Sequence, residues 1–180
     1  KFKHKALGFI AQGSEFGFGK MYAKGINDEA LKRDKDQFIQ VVSCNTHNLG
    51  IILKTLASDE KGRITNLKEG RFVLMRRAND ISQDKKFIPG PQVGAHSDEK
   101  FGTHHARDAY HLFRTLDYDL NLYSSAMKIN TQYMHSLWFN LRLKNKISKD
   151  EVIQRLVEHP QVAVTYKQSA GTIFSFGRDH

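Results

Sequence analysis

The sequence predicts an α+β fold, in which a mainly antiparallel or mixed sheet carries helices on one face. Three observations lead there. Apolar residues recur at period two from Tyr133 to Leu143, the spacing of a half-buried strand. Leu49, Ile52, Leu53 and Leu56 recur at helical spacing. Ser148-Lys149-Asp150-Glu151 has the form of a capping box and opens a further helix.

Taken in order, Leu7 to Ala11 is a short apolar run and reads as a buried strand. Gly13, Gly17 and Gly19 follow. Gly17-Phe18-Gly19-Lys20 fails as a phosphate loop, because Ser14 stands at the required first glycine and Met21 follows the lysine in place of Ser or Thr; it reads as a loop or hairpin. Asn27 to Asp36 is polar and suits a short helix or a connection. Phe38 to Val42 is a strand that runs into Ser43-Cys44-Asn45-Thr46 and a helix from about Asn45 to Ala57. Ser58 to Gly62 is turn-like, and Arg71 to Arg76 is a strand. Ile81 to Ala106 is a long segment broken by Pro89, Gly90, Pro91, Gly94 and Gly102, the pattern of a functional or disordered loop. Asp108 to Leu116 adds a helical turn or two. Leu120 to Asn130 and Gln132 to Leu143 are strands, and the second sets Tyr133, His135, Leu137, Phe139, Leu141 and Leu143 on one face. The helix opened by Ser148 turns Val152, Ile153, Leu156 and Val157 inward and ends at Pro160, and Val162 to Tyr166 is a last strand.

The 180 residues are 39% hydrophobic and 26% charged, the balance of a soluble globular protein of one domain, or one and part of a second. No apolar run approaches the roughly 18 residues that span a bilayer, and no long apolar stretch follows the basic start at Lys1 as a secretory signal requires. No membrane partner is expected. The single cysteine makes no internal disulfide and suits the reducing cytoplasm. A net charge of +9 permits nucleic acid or anionic small substrates such as phosphate esters. The Lys and Arg residues are scattered, and no zinc-finger, RNP or helix-turn-helix signature stands out, so nucleic acid is not the expected partner. The chain starts on Lys1 and stops in mid-pattern at Gly177-Arg178-Asp179-His180, which reads as a segment of a longer protein.

Cys44 is the leading candidate for chemistry. It stands between a strand end and a helix start, where unpaired N–H groups favour a thiolate, the form that attacks carbonyl carbon. The alternative is a small buried hydrophobe. A cysteine nucleophile needs a base, usually histidine, and the chain holds nine. His135 is the notable one: either a half-buried ring bonded to a neighbour, or an imidazole presented to a cleft for proton transfer. His104 and His105, with Arg107 close by, read as exposed loop residues or as donors to a phosphate. Arg76-Arg77 close a strand and read as solvated charge or as a phosphate or cofactor contact. No ligand set at zinc-finger spacing exists, so no metal is expected.

Val41-Val42-Ser43-Cys44-Asn45-Thr46 resembles the nucleophile motif of archaeal-type (class II) phosphorylating glyceraldehyde-3-phosphate dehydrogenases. Further segments match that family in the same order: Ile10 to Glu15, Leu74 to Asp80, Gly90-Pro91, Thr103-His104-His105 and Asn130 to His135. The resemblance implies the catalytic domain of an NAD- or NADP-dependent dehydrogenase over residues 44–180, truncated at its C-terminus. Residues 1–43 would be the last strands of a Rossmann-type nucleotide-binding domain. It implies Cys44 as nucleophile and His135 as general base. Ser43, Asn45, His104 and His105 would contact the substrate, and Arg77 the nicotinamide cofactor. Glyceraldehyde 3-phosphate and inorganic phosphate would be the partners, and 1,3-bisphosphoglycerate the product of a Cys44 thioester. A cytoplasmic homotetramer is the assembly implied. The chain departs from the family at His47-Asn48 (usually Thr-Gly), at Leu137 (often a second histidine) and at Asn130 (a proline). It also lacks G-x-G-x-x-G. The competing readings are a cysteine-dependent dehydrogenase of another phosphorylated aldehyde or a semialdehyde, and a non-catalytic basic binding module on the same fold.

Overall fold

The computed structural model describes residues 3–78, 90–131 and 133–178, and among them seven strands form two sheets. β1 (Phe9–Gln12), β2 (Lys20–Tyr22) and β3 (Phe38–Val41) make a small sheet in the order β1-β3-β2, with both pairings parallel. β4 (Leu67–Arg77), β5 (Gln92–Val93), β6 (Leu122–Ile129) and β7 (Ser136–Leu143) make the second, in the order β5-β6-β4-β7. Its central pair, β4 with β6, is parallel, and its two outer pairings are antiparallel. The mixed sheet is therefore the second one, whereas the first is wholly parallel.

Four helices accompany them: α1 (Cys44–Ala57), α2 (His104–Arg114), α3 (Lys149–Glu158) and α4 (Ala170–Arg178). Parallel β4 and β6 need a crossover, and α2 supplies it. α1 returns directly into β4, its last carbonyl region held by Asn66 N–H donating to Ala57 O at 3.1 Å. Both helices thus run opposite to β4 and β6. Their N-termini lie at the end where those two strands finish, and antiparallel β7 starts at that same end, Met75 opposite Ser136.

The core fills the space between these helices and the sheet. Leu49 and Leu53 of α1, Leu112 and Phe113 of α2, and Phe72, Leu74 and Leu122 of the sheet are essentially inaccessible. Each such side chain contributes roughly 1.5–3 kcal/mol by leaving water. On β7, Leu137, Phe139, Leu141 and Leu143 face this core, while Trp138, Asn140 and Arg142 point away and are exposed. Ser148 caps α3 as its sequence demands, accepting from Glu151 N at 3.1 Å. Arg155 of α3 then donates to Ser58 O at 3.0 Å and binds α3 to the C-terminal end of α1.

Several expectations change. Lys20 to Tyr22 is a strand, because β3 offers it a parallel edge. His104 and His105 are not loop residues; α2 begins with them. β7 begins at Ser136, so His135 precedes the strand instead of lying on its face. Val157 is 60% exposed, not inward. Val162 to Tyr166 forms no strand, because no described strand lies beside it to supply a ladder. α4 was not expected, since Gly171 and Gly177 and β-branched Thr172 and Ile173 depress helix propensity. The motif residues Asn79, Asp80 and Gln132, the prolyl Pro89 and the terminal Asp179-His180 lie outside the described residues.

Candidate functional site

The site grows from two helix N-termini and one strand end. α1 begins with a local cap: Ser43 Oγ accepts from Thr46 N at 3.4 Å and shares a 3.0 Å hydrogen bond with Thr46 Oγ1. Ser43 is therefore engaged in holding the helix start. Cys44 is the first helical residue and is exposed, which removes the buried-hydrophobe reading. The first turn carries no acidic side chain that would oppose an anion there. Asn45 turns inward, 2% exposed, and its Oδ1 has no hydrogen-bond partner.

α2 begins differently. Thr103 makes no side-chain cap to its own helix. Ser124 of β6 does that work from across the sheet: its Oγ accepts from Ala106 N at 3.0 Å and bonds Thr103 Oγ1 at 2.7 Å. The chain reaches this point through Gly102 at φ +74°, where a Cβ would sit 2.3 Å from the Ser124 carbonyl oxygen; only glycine fits. The cap fixes His104 and His105 in the first turn, their rings 3.9 Å apart. His105 is 2% exposed, and neither ring nitrogen has a hydrogen-bond partner. Burial, with the charges of His104, Arg76 and His135, pushes its pKa down to about 3, so the ring is neutral at physiological pH. His104 is half-buried, and its pKa is also lowered, by burial first and by Arg76 and Arg107, against an opposing pull from Asp108.

The end of β4 supplies the cations. Arg76 Nε is buried without a hydrogen-bond partner. The backbone N–H of Arg77 donates to His135 Nδ1 at 3.0 Å. That bond makes Nδ1 an acceptor, so the neutral His135 ring carries its proton on Nε2. His135 thus sits at the start of β7 beside the end of β4, next to Arg77 and within electrostatic reach of His105.

The structure therefore brings His104 against His105, sets His135 within electrostatic reach of His105, and ties His135 to the Arg77 backbone. The direction of α1 sets Ser43, Cys44 and Asn45 at the same end of the sheet. Sequence reasoning missed Ser124, whose role comes from a strand 18 residues beyond Ala106 and leaves no local signal. It also passed over Asp108, which the i,i+4 spacing from His104 could have raised. Among the described residues, six buried side-chain atoms lack a hydrogen-bond partner; five belong to Asn45, Arg76, His105 and Asp108, and the sixth is Gln40 Oε1 on β3. Among the described residues no group of three His, Cys, Asp or Glu side chains is arranged to hold a metal ion. A hollow of about 460 Å³ lined by Lys54, Asp59, Arg155 and His159 lies at the opposite end of α1 and holds none of these groups.

The chain is similar to glyceraldehyde-3-phosphate dehydrogenases. It is 30% identical to that enzyme from Saccharolobus islandicus (strain L.S.2.15 / Lassen #1) over 142 residues, 76% of this chain and 36% of the relative. With the Saccharolobus solfataricus protein of the same name identity is 29% over 142 residues, again 76% and 36%. With the one from Methanobacterium formicicum it is 29% over 162 residues, 84% of this chain and 43% of the relative. The chain thus spans about two fifths of the length of the curated relatives it matches. No protein-family model matches it.

Proposed function

We propose that this chain carries the catalytic part of a phosphorylating dehydrogenase that oxidises glyceraldehyde 3-phosphate to 1,3-bisphosphoglycerate. The observation that supports it most is the clustering of unpaired buried polar groups at one end of the sheet, from α1, α2 and β4, beside an exposed cysteine at a helix start. Such groups each cost about 1–3 kcal/mol when left unpaired; the Arg76 Nε–H and the ring N–H of His105 are donors among them, and an anionic ligand offsets their cost. The similarity to enzymes of that name adds to it.

In this reading Cys44 Sγ attacks the aldehyde carbon and forms a thiohemiacetal. Negative charge develops on the former carbonyl oxygen. His135, held by Arg77 N–H in the Nε2–H tautomer, donates to that oxygen. The general-base role that the resemblance implies needs the opposite tautomer, and so the release of the Arg77 bond. Loss of a hydride from that thiohemiacetal alkoxide re-forms the carbonyl and leaves a thioester on Cys44. Inorganic phosphate attacks the thioester carbon, the C–S bond breaks, and the acyl phosphate leaves. Arg76 and the ring N–H of neutral His105 bind the substrate phosphate, with His104 and Asn45 contacting the substrate and Ser43 holding Cys44 in place.

NAD or NADP, when bound, supplies the hydride acceptor. Among the described residues, the half-buried Arg77 at the end of β4 has the charge and place to hold part of it. The chain's only glycine-rich stretch, Gly13 to Gly19, lacks the dinucleotide fingerprint. Residues 1–43 accordingly complete a nucleotide-binding domain and do not form one, and residues 44–180 belong to the catalytic domain. We place the whole protein in the cytoplasm as a homotetramer. Turnover of glyceraldehyde 3-phosphate by the intact protein, dependent on inorganic phosphate, tests the proposal; a protein inert with both cofactors contradicts it.

A further inference from the structure

We propose that Asp108 is a positioning residue for His104: its buried carboxylate takes one ring N–H of His104 and so turns the other ring nitrogen toward the site. The two residues stand four apart on α2, on the same helix face, and side chains on a helix lean back toward the N-terminal turn. Asp108 is 1% exposed. Its Oδ1 accepts from Arg107 Nε at 3.0 Å and from the Arg107 terminal guanidinium nitrogen at 2.9 Å. Its Oδ2 is buried with no hydrogen-bond partner. A carboxylate oxygen in that state needs a donor, and His104, half-buried one turn earlier and within reach of the Asp108 charge, is that donor. The other groups that act on His104 are Arg107 of α2 and Arg76 of β4, both cationic, with the His105 ring alongside. α1, which packs on α2, brings Cys44 and His47 in its first turn, and β6 brings Lys128 near its end. Asp108 is thus the one anion among them. Without it His104 would be an imidazole of undefined tautomer.

That His104 faces a substrate rests on the function proposed above; that Asp108 orients it does not. The test is histidine-ring NMR on the intact protein labelled with 15N-histidine, His104 being identified by the signal lost in His104→Gln. We expect one neutral tautomer for His104, and in Asp108→Asn a mixture, with a titration midpoint lower by about one pH unit, a tenfold loss of proton affinity. A mixture of tautomers at His104 in the unsubstituted protein overturns the inference even if Asp108→Asn fails to fold; so does an unchanged midpoint in a folded variant. Absence of dehydrogenase turnover overturns the function proposed above but leaves this result standing.

Discussion

The two helices that open on the site begin in opposite ways. α1 is capped from within, by Ser43 three residues before Thr46, and its first residue, Cys44, faces solvent. α2 is capped from β6 by Ser124, and its second residue, His105, is buried. The difference separates two tasks. A nucleophile must be reached by its substrate, and a short-range cap holds it there without burying it. A neutral imidazole pair must be kept dry and fixed, and that requires a strand behind it. Damage to the sheet should therefore disorder the histidines while Cys44 remains reactive.

The sharpest test of the first task is Cys44→Ser. Turnover in the intact protein should fall by roughly 10⁴-fold or more, with the thermal midpoint unchanged because the side chain is exposed; steady-state kinetics and a melting curve measure both. Under the proposed function, His135 divides the site's proton chemistry from its binding. His135→Asn should lower kcat by roughly 10²–10⁴-fold. His135→Gln, whose amide nitrogen lies nearer the Nε2 position, should retain more activity than Asn if donation is the role; a change confined to KM would remove both roles.

On the second helix, Ser124→Ala removes the cap of α2 and leaves Thr103 Oγ1 buried without its partner. It should cost about 1–3 kcal/mol in denaturant unfolding while Cys44 labels with iodoacetamide as before. His105 sets a pH dependence. Its ordinary value of 6.5 applies in the unfolded chain and about 3 in the folded one, so between these the unfolded state binds the extra proton. Stability should therefore fall as pH drops from 6.5 toward 3, by on the order of 1.4 kcal/mol per unit at most. His105→Gln should flatten that slope in urea titrations at successive pH values. Ser43→Ala is the smallest change expected, about 0.5–2 kcal/mol and near the lower end, because Thr46 lies close enough to rearrange.

The contrast also explains what could be read in advance. Four local features were legible: the strand into Ser43-Cys44, the helical period of α1, the capping box of α3 and the alternation of β7. The burial of His105 was not, because it depends on Arg76, Ser124 and the parallel pairing of β4 with β6, all distant in sequence. Val162 to Tyr166 shows the same limit from the other side. Its residues suit a strand, but strand formation needs a partner, and this segment pairs with none of the described strands. The alternation runs through His135 and assigns it to the strand face; the Arg77 N–H that captures its ring lies 58 residues away.

The central claim is that Cys44 carries the substrate as a thioester. The direct measurement is intact and peptide mass spectrometry of the whole protein after one turnover with glyceraldehyde 3-phosphate and NAD or NADP, in phosphate-free buffer. The account predicts a single phosphoglyceroyl adduct on Cys44 that disappears when inorganic phosphate is added. An unmodified Cys44 in a protein that still reduces the cofactor would contradict it.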